Sequence, residues 1–595
     1  MFPQRPDYVS VNINDGTSFA KSTSRSIWRQ WNQLSRFQRN ILYFTVIAGI
    51  ILLIYFLPGK TQLTTVVDES DYDSTKVAQE HQKVRKVQEK HEANHGDRGG
   101  GINVEVIEEP EFQPEANQVD NNQIGEPPQH QLQALKFNGP KNDRQKAVVQ
   151  ALMHSWNGYK KFAWGHDSVK PVSKSYHEWF GLGLTIVDSL DTLYMMGLYE
   201  EFKEGQDWVK KNLVFDRNRD VNLFELTIRV LGGLLSAYHL SGDKMFLEKA
   251  VELGDRTMPA FASPSGVPYS DVNLGMRIAH APRWNPDSSA AEIASLQLEY
   301  RDLSRSSGQP RFEQAVAKVS EHLHQLEKFD GLVPIFINAN TGLFQEHSAI
   351  TLGARGDSYY EYLLKQWIQT GRTIDYLRDD YLLGLVGTEK HLVKRTAVNK
   401  HLFLAELIGA SREVKPKMDH LTCFLSGTIV LGVHFGLPKE HLQLADELIN
   451  TCWQTYAIQP TGLAPEITYF NIHNSNDKNQ NDMTVKTNDA HNLLRPEFIE
   501  SLYYMWYFTG NKTYQDLGWR IFQSFEKYSK VEHGYTSIGN VKNIYNTRPR
   551  DMTESFWFSE TLKYFYLLFD DTRRLIDLEK WVFNTEGHPL PIYES

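Results

Sequence analysis

The strongest constraint on the fold is a glycine that repeatedly interrupts helical periodicity. Four times a helical run stops at Gly and a second begins a few residues on: Ser241-Gly242-Asp243 before Phe246, Ser307-Gly308-Gln309 before Phe312, Thr370-Gly371-Arg372, and Thr509-Gly510-Asn511 before Tyr514. Weaker copies surround Gly197, followed by Phe202, and Gly436, followed by Leu437-Pro438. Glycine accepts the left-handed backbone that closes a helix, and the aromatic after it packs back over the turn. Gly242, Gly308, Gly371 and Gly436 are 66, 63 and 65 residues apart, about two helices plus their connections. With a degenerate last turn at Asp570-Asp571, the pattern predicts an all-α domain of seven hairpins between about 147 and 595. Such hairpins either close into a toroid with loops free at one end or stack as an open solenoid.

A chain of 595 residues, 41% hydrophobic and 12% aromatic, has ample material for a core. Its net charge of −10, with no basic stripe in the globular part, argues against nucleic acid as a partner. The apolar run Ile41–Leu57 carries no charge and is just long enough to cross a bilayer. It lies too deep in the chain, and is too long, for a cleaved signal peptide. Arg5, Lys21, Arg25, Arg29, Arg36 and Arg39 precede it, and Asp68, Glu69, Asp71 and Asp73 follow it. Positive flanks stay cytoplasmic, which predicts a type II single-pass protein: tail 1–40, signal anchor 41–57, lumenal stem 58–140 and globular domain 141–595. The stem is rich in Glu, Gln, Lys, His, Asn and Pro, a composition that cannot offset its ordering entropy and predicts disorder.

The only cysteines, Cys423 and Cys452, fall in the lumenal part, where one disulfide is the economical expectation and two separate buried thiols the alternative. The sequon Asn511-Lys512-Thr513 agrees with that address.

Acidic residues in otherwise apolar segments are costly unless paired or used. Glu225 lies in VNLFELTIRVLGG, one helical turn before Arg229; Asp357 enters a helix in TLGARGDSYYEYL; Glu497 follows Arg495-Pro496 in HNLLRPEFIESLYY. Each has an ordinary reading as an ion pair, an N-cap or a first-turn acid. On separate hairpins of one toroid, however, they could converge on its axis, and glycoside hydrolysis needs two carboxyl groups across the scissile bond. Phe556 and Trp557 would suit a sugar face.

The segments LTIVDSLDTLY, VNLFELTIRVLGGLLSAYHLSGD, PYSDVN, LGARGDSYYEYLLKQW, HNLLRPE, ETLKYFYLLF and VFNTEGHPLPI also carry a resemblance. From about Trp179 to Pro591 the chain resembles the class I alpha-1,2-mannosidases of glycoside hydrolase family 47. The resemblance implies an (alpha/alpha)7 barrel, a Ca2+ ion at its floor, and inverting hydrolysis of terminal mannose from high-mannose N-glycans on glycoproteins. By similarity Glu225 takes the place of the general acid, Glu497 that of the general base, and Asp357 that of a third essential carboxylate. Whether Glu225 or Asp357 delivers the proton stays open. Thr585 matches the direct calcium ligand, and Cys423 and Cys452 match the family's disulfide. Glu361, Glu466, Glu500, Glu560 and Glu586 match carboxylates near the calcium waters or the sugar, Phe556 an aromatic beneath it, and Arg229 and Arg495 charges around the carboxylates.

Arg355 resembles the endoplasmic reticulum members of the family, whereas Golgi members look to carry an uncharged residue there. A guanidinium that bonds several hydroxyls would fix one glycan branch in register, implying removal of a single mannose. The implied address is the endoplasmic reticulum membrane, with the Golgi membrane as the alternative. Gly587 departs from the usual Ala, and Phe558-Ser559 from a Leu-Gly or Leu-Ala pair. A mannose receptor that binds without turnover is the competing reading; retention of Glu225, Asp357, Glu497 and Thr585 together favours the enzyme.

Overall fold

The computed structural model describes residues 134–282, 287–473 and 481–593, all within the second of the two units into which the chain divides, Asp120–Ser595. The tail 1–40, the apolar run Ile41–Leu57 and the stem as far as 133 lie outside the described residues. No described helix is long and apolar enough to cross a membrane.

Helix α1 spans Asp143–Phe162, α2 Leu184–Met195 and α3 Tyr199–Asn212. Helix α4, Leu223–Leu226, runs through a π-helical turn, Thr227–Leu231, into α5, Gly232–Ser241; α6 is Lys244–Thr257. Then come α7 Ala290–Ala294, α8 Gln297–Ser307, α9 Arg311–Gln325, α10 Asp357–Gln369 and α11 Asp375–Gly387. The last are α12 Leu425–His434, α13 Leu442–Ala457, α14 Glu497–Thr509, α15 Thr513–Tyr528 and α16 Leu562–Leu568, which is entered through a second π turn, Trp557–Thr561.

All six expected turns are present. Gly197, Gly242, Gly308, Gly371, Gly436 and Gly510 each have positive φ, between 64° and 99°, at the C-terminal end of α2, α5, α8, α10, α12 and α14. Asn142 and Asp243 cap α1 and α6 by accepting from Gln145 N and Met245 N. Each of the six capped helices packs against the helix that follows its turn and against its counterparts in the neighbouring hairpins. The circuit runs α2, α5, α8, α10, α12, α14, α16, and returns to α2 through the π turn before α16.

The seventh pair differs from the sequence expectation. The turn after α16 leads into no helix; its outer partner is α1, from the N-terminal end of the domain. The spacing missed this because a pair formed from the two ends of the domain has no hairpin turn between its helices. Leu135 and Phe137, read as the end of the stem, dock on this domain: Leu135 N–H donates to Leu240 O at 2.9 Å, and Phe137 is buried.

Every residue of α2 is buried, as is every residue of α10 after Asp357, because both faces of an inner helix are covered. Most polar side chains on these helices are therefore paired inside the ring, whereas Ser358 Oγ, Tyr359 Oη and Trp367 Nε1 are buried without a hydrogen-bond partner. The connections from outer to inner helices are long and hold short antiparallel strands. The final pair, Trp581–Phe583 with Pro589–Pro591, packs against α5, α8 and α10, and its tip carries Thr585 and Glu586 into the ring.

Candidate functional site

The acidic residues gather where the long connections enter the inner helices. Glu225 lies in α4, Asp357 and Glu497 are the first residues of α10 and α14, Glu500 lies one turn further, and Glu560 lies in the π turn before α16. Helix N-termini favour negative charge, and π turns are local deformations that recur at functional sites. Here the π turns carry Arg229 and Glu560. Glu225, Arg229, Arg355, Asp357, Glu361, Arg495, Glu497, Glu500, Phe556, Glu560, Thr585 and Glu586 all line one cavity of about 310 Å³. Glu466 is outside the lining and is joined to it by Arg495, whose Nε donates to its Oε2 at 2.5 Å.

Two carboxyl groups are driven apart electrostatically. Burial pushes Asp357 up to about 8, with Glu361, Glu497 and Asp419 adding like charge and the Ser358 N–H opposing. Burial also acts to raise Glu497, but the hydrogen bond and charge of His420 and the charge of Arg495 outweigh it and leave Glu497 below the ordinary glutamate value. His420 Nδ1 lies 2.7 Å from Glu497 Oε2, and its Nε2 2.6 Å from Tyr456 Oη. Cys423 is bonded to Cys452, which ties the segment bearing His420 to α13, the helix that also supplies Tyr456.

Both carboxylates follow a residue in the left-handed region: Arg355 at φ 74° and Leu494 at φ 67°. Non-glycine residues hold this conformation only where the surroundings fix it. Ala291 N–H donates to Arg355 O at 3.0 Å, and Thr561 Oγ1 to Leu494 O at 2.6 Å. The Arg355 guanidinium is 3.5 Å from Glu292 and faces the Phe336 ring at 5.5 Å.

Arg229 is the hub of the opposite wall. It donates to Glu225 Oε2 at 2.8 Å, to Ser555 Oγ at 3.2 Å and to Glu586, and lies 3.7 Å from Asp188. The guanidinium carbons of Arg229 and Arg495 stand 5.6 and 5.9 Å from the Phe556 ring centre. Beneath them His588 bridges Asp191 at 2.8 Å and Asp188 at 3.0 Å, while Lys563 donates to Asp191 at 2.8 Å, all fully buried. His588 thus fixes the base of the tip that holds Thr585 and Glu586. Gly587, at φ 72°, suits that turn better than the alanine usual in the family.

Thr585 Oγ1 donates to Glu361 Oε2 at 2.8 Å, and Lys365 holds Glu361 and, at 3.5 Å, Glu500. Burial first, then neighbouring carboxylates, push Glu560 well above the glutamate range and Glu500 up to about 8, Lys365 opposing for the latter. The cavity lining holds more carboxylates than guanidinium groups, and an excess of carboxylate oxygens is chemically suited to a hard divalent cation. Among the described residues no three His, Cys, Asp or Glu side chains are grouped so as to hold a metal ion by themselves.

Sequence reasoning missed His420, Glu292 and the group Asp188, Asp191, Lys563 and His588. The two aspartates carried the same signal as Glu225, acids inside the apolar run LTIVDSLDTLY. His420 carried none, because only the tertiary fold brings it to Glu497.

Residues 151–592 match the family model described as glycosyl hydrolase family 47. The chain is 45% identical over 660 residues to the endoplasmic reticulum mannosyl-oligosaccharide 1,2-alpha-mannosidase of Rattus norvegicus, covering 100% of both chains. It is 43% identical to the Homo sapiens protein of that name, covering 99% of this chain and 93% of the relative. Among solved structures, an alpha-1,2-mannosidase from Trichoderma reesei superposes with a TM-score of 0.70 at 30% identity, over 76% of this chain and all of that one.

Proposed function

The chain belongs to glycosyl hydrolase family 47, and from that premise we propose that this mannosyl-oligosaccharide 1,2-alpha-mannosidase works by inversion and depends on calcium. It trims mannose from N-glycans of glycoproteins in the endoplasmic reticulum, and the closed circuit of seven helix pairs is its (alpha/alpha)7 barrel. The observation that carries the mechanism is the opposed shift of Asp357 and Glu497 across one cavity. An inverting hydrolase needs one carboxyl group that keeps its proton and one that has lost it.

Glu497, ionised and steadied by His420, takes a proton from the water that attacks the anomeric carbon. As the glycosidic bond breaks, the leaving oxygen receives a proton from a carboxylic acid in the same cavity. Asp357, neutral at pH 7, is the group that holds this proton. Glu225, with one oxygen engaged by Arg229, positions the acid side and its charge balance. Arg495, Arg229 and Phe556 hold the sugar ring within the cavity. When bound at Thr585, calcium would polarise sugar hydroxyls and offset the charge of the surrounding carboxylates. Arg355 sets branch choice: Arg355→Leu is expected to release several mannoses where the parent enzyme releases one.

The run Ile41–Leu57 serves as a type II signal anchor and the segment after it as a lumenal stem. Mass spectrometry of a high-mannose glycan incubated with the lumenal domain tests the reading. Loss of one hexose, abolished by a chelator, supports it; binding without mass loss defeats it in favour of a mannose receptor.

A further inference from the structure

The triplet Asn511-Lys512-Thr513 is a motif that the mechanism leaves unused. It is the only Asn-X-Ser/Thr triplet in the 595 residues, and its middle residue is not proline. It lies in the turn between α14 and α15, directly after Gly510, whose φ of 68° closes α14. All three residues are exposed. The backbone is held on both sides, because Asn511 N donates to Thr509 Oγ1 at 3.1 Å and Tyr514 N donates to Asn511 O at 3.2 Å. Asn511 Oδ1 accepts from Thr513 N at 3.0 Å, an Asx turn that sets the asparagine side chain at the start of α15. That turn uses only the carbonyl oxygen, which an aspartate would supply equally well. The amide Nδ2 and the Thr513 hydroxyl have no hydrogen-bond partner among the described residues.

Glu497 begins α14 and Asn511 follows its end, so the 13-residue helix separates the base of the cavity's chemistry from the triplet by about 20 Å. Asn511 therefore stands at the end of the ring built from tight glycine turns, whereas the long connections and the cavity lie at the other. Because the residue is exposed, a group carried on its amide displaces no core side chain.

We propose that Asn511 is an N-glycosylation site, so that the domain carries one N-linked oligosaccharide of its own at the end of the ring away from the cavity. The step is a group transfer. Asn511 Nδ2 bonds to the anomeric carbon of an oligosaccharide held on a lipid diphosphate. The bond from that carbon to the diphosphate oxygen breaks, the lipid diphosphate departs, and the amide gives up one proton. The donor and its transferase belong to the secretory lumen, and the inference rests on the lumenal address proposed for this domain.

The test uses the full chain made in a eukaryotic secretory pathway, treated with an amidase that removes N-linked oligosaccharides and read by peptide mass spectrometry. Loss of one oligosaccharide with conversion of Asn511 to aspartate is expected in the parent and in Thr513→Ser, and in neither Asn511→Gln nor Thr513→Ala. Tyr545→Thr supplies the control. Tyr545 is 93% exposed and its N–H donates to Asn543 Oδ1 at 2.9 Å, so the substitution gives Asn543 a hydroxyl two residues on in the same kind of turn. Modification of Asn543 in Tyr545→Thr beside an unmodified Asn511 overturns the proposal alone. Modification of neither overturns the lumenal address and the proposal with it. Asn511→Gln should keep kcat and KM within about twofold of the parent, and a larger change in either would contradict the placement of the oligosaccharide away from the cavity.

Discussion

Asp357 and Glu497 lie in one cavity, yet burial governs one and partners govern the other. The rate of glycan hydrolysis should therefore follow a bell, with its acidic limb set by Glu497 below the ordinary glutamate range and its basic limb near the value of about 8 held by Asp357. Glu497→Gln should lower kcat by about 10²- to 10⁴-fold. His420→Ala removes the hydrogen bond and charge that depress Glu497, so the acidic limb should move to higher pH. In Glu225→Gln the basic limb should persist, and in Asp357→Asn it should vanish from the residual rate. Stability adds a separate readout. A carboxyl group raised by folding is compatible with the fold below its unfolded value near 4 and loses that stability as pH rises through about 8. Asp357→Asn should thus unfold at a higher temperature than the parent, by a margin that grows between those two values. Glu497 acts in the opposite sense: what it contributes is present above the ordinary carboxylate range and disappears as pH falls through its depressed value. Thermal melts across pH separate these effects.

At the scale of elements, two joints carry more of the fold than their size suggests. The disulfide between Cys423 and Cys452 closes a separation of 29 residues, and its loss should cost roughly 3 to 4 kcal/mol in the chain-entropy model. Because it also holds the segment of His420, Cys452→Ser should lower kcat as well as the melting temperature. Helix α1 closes the seventh pair against α16, so a chain beginning after Phe162 should fail to yield soluble folded protein, while one beginning at Leu135 should fold; circular dichroism of the two fragments decides this. The six glycine-closed hairpins were legible in the sequence because a left-handed helix end has a local chemical signature. The seventh pair was not, since its helices come from opposite ends of the domain and no local pattern joins them. The same division separates the site residues: Glu225, Asp357 and Glu497 stood out as acids in apolar runs, whereas His420 and Glu292 acquire their neighbours only through tertiary contacts.

For the molecule as a whole, the ring supplies a rigid interior, the C-terminal hairpin fills it, and the long connections leave one open end. Calcium bound at the hairpin tip would link that hairpin to the ring, so chelation should lower the melting temperature as well as abolish turnover, a coupling that differential scanning calorimetry would register. The central claim is that carboxyl groups from separate helix pairs act on one sugar, the base directing a water onto the anomeric carbon while the acid protonates the leaving oxygen. It is tested most directly by proton NMR of mannose in the first minutes of glycan cleavage. The account predicts that β-mannose appears first and only later mutarotates to the equilibrium mixture. Initial release of α-mannose, or no release of mannose from an α-1,2-linked terminus, would contradict it.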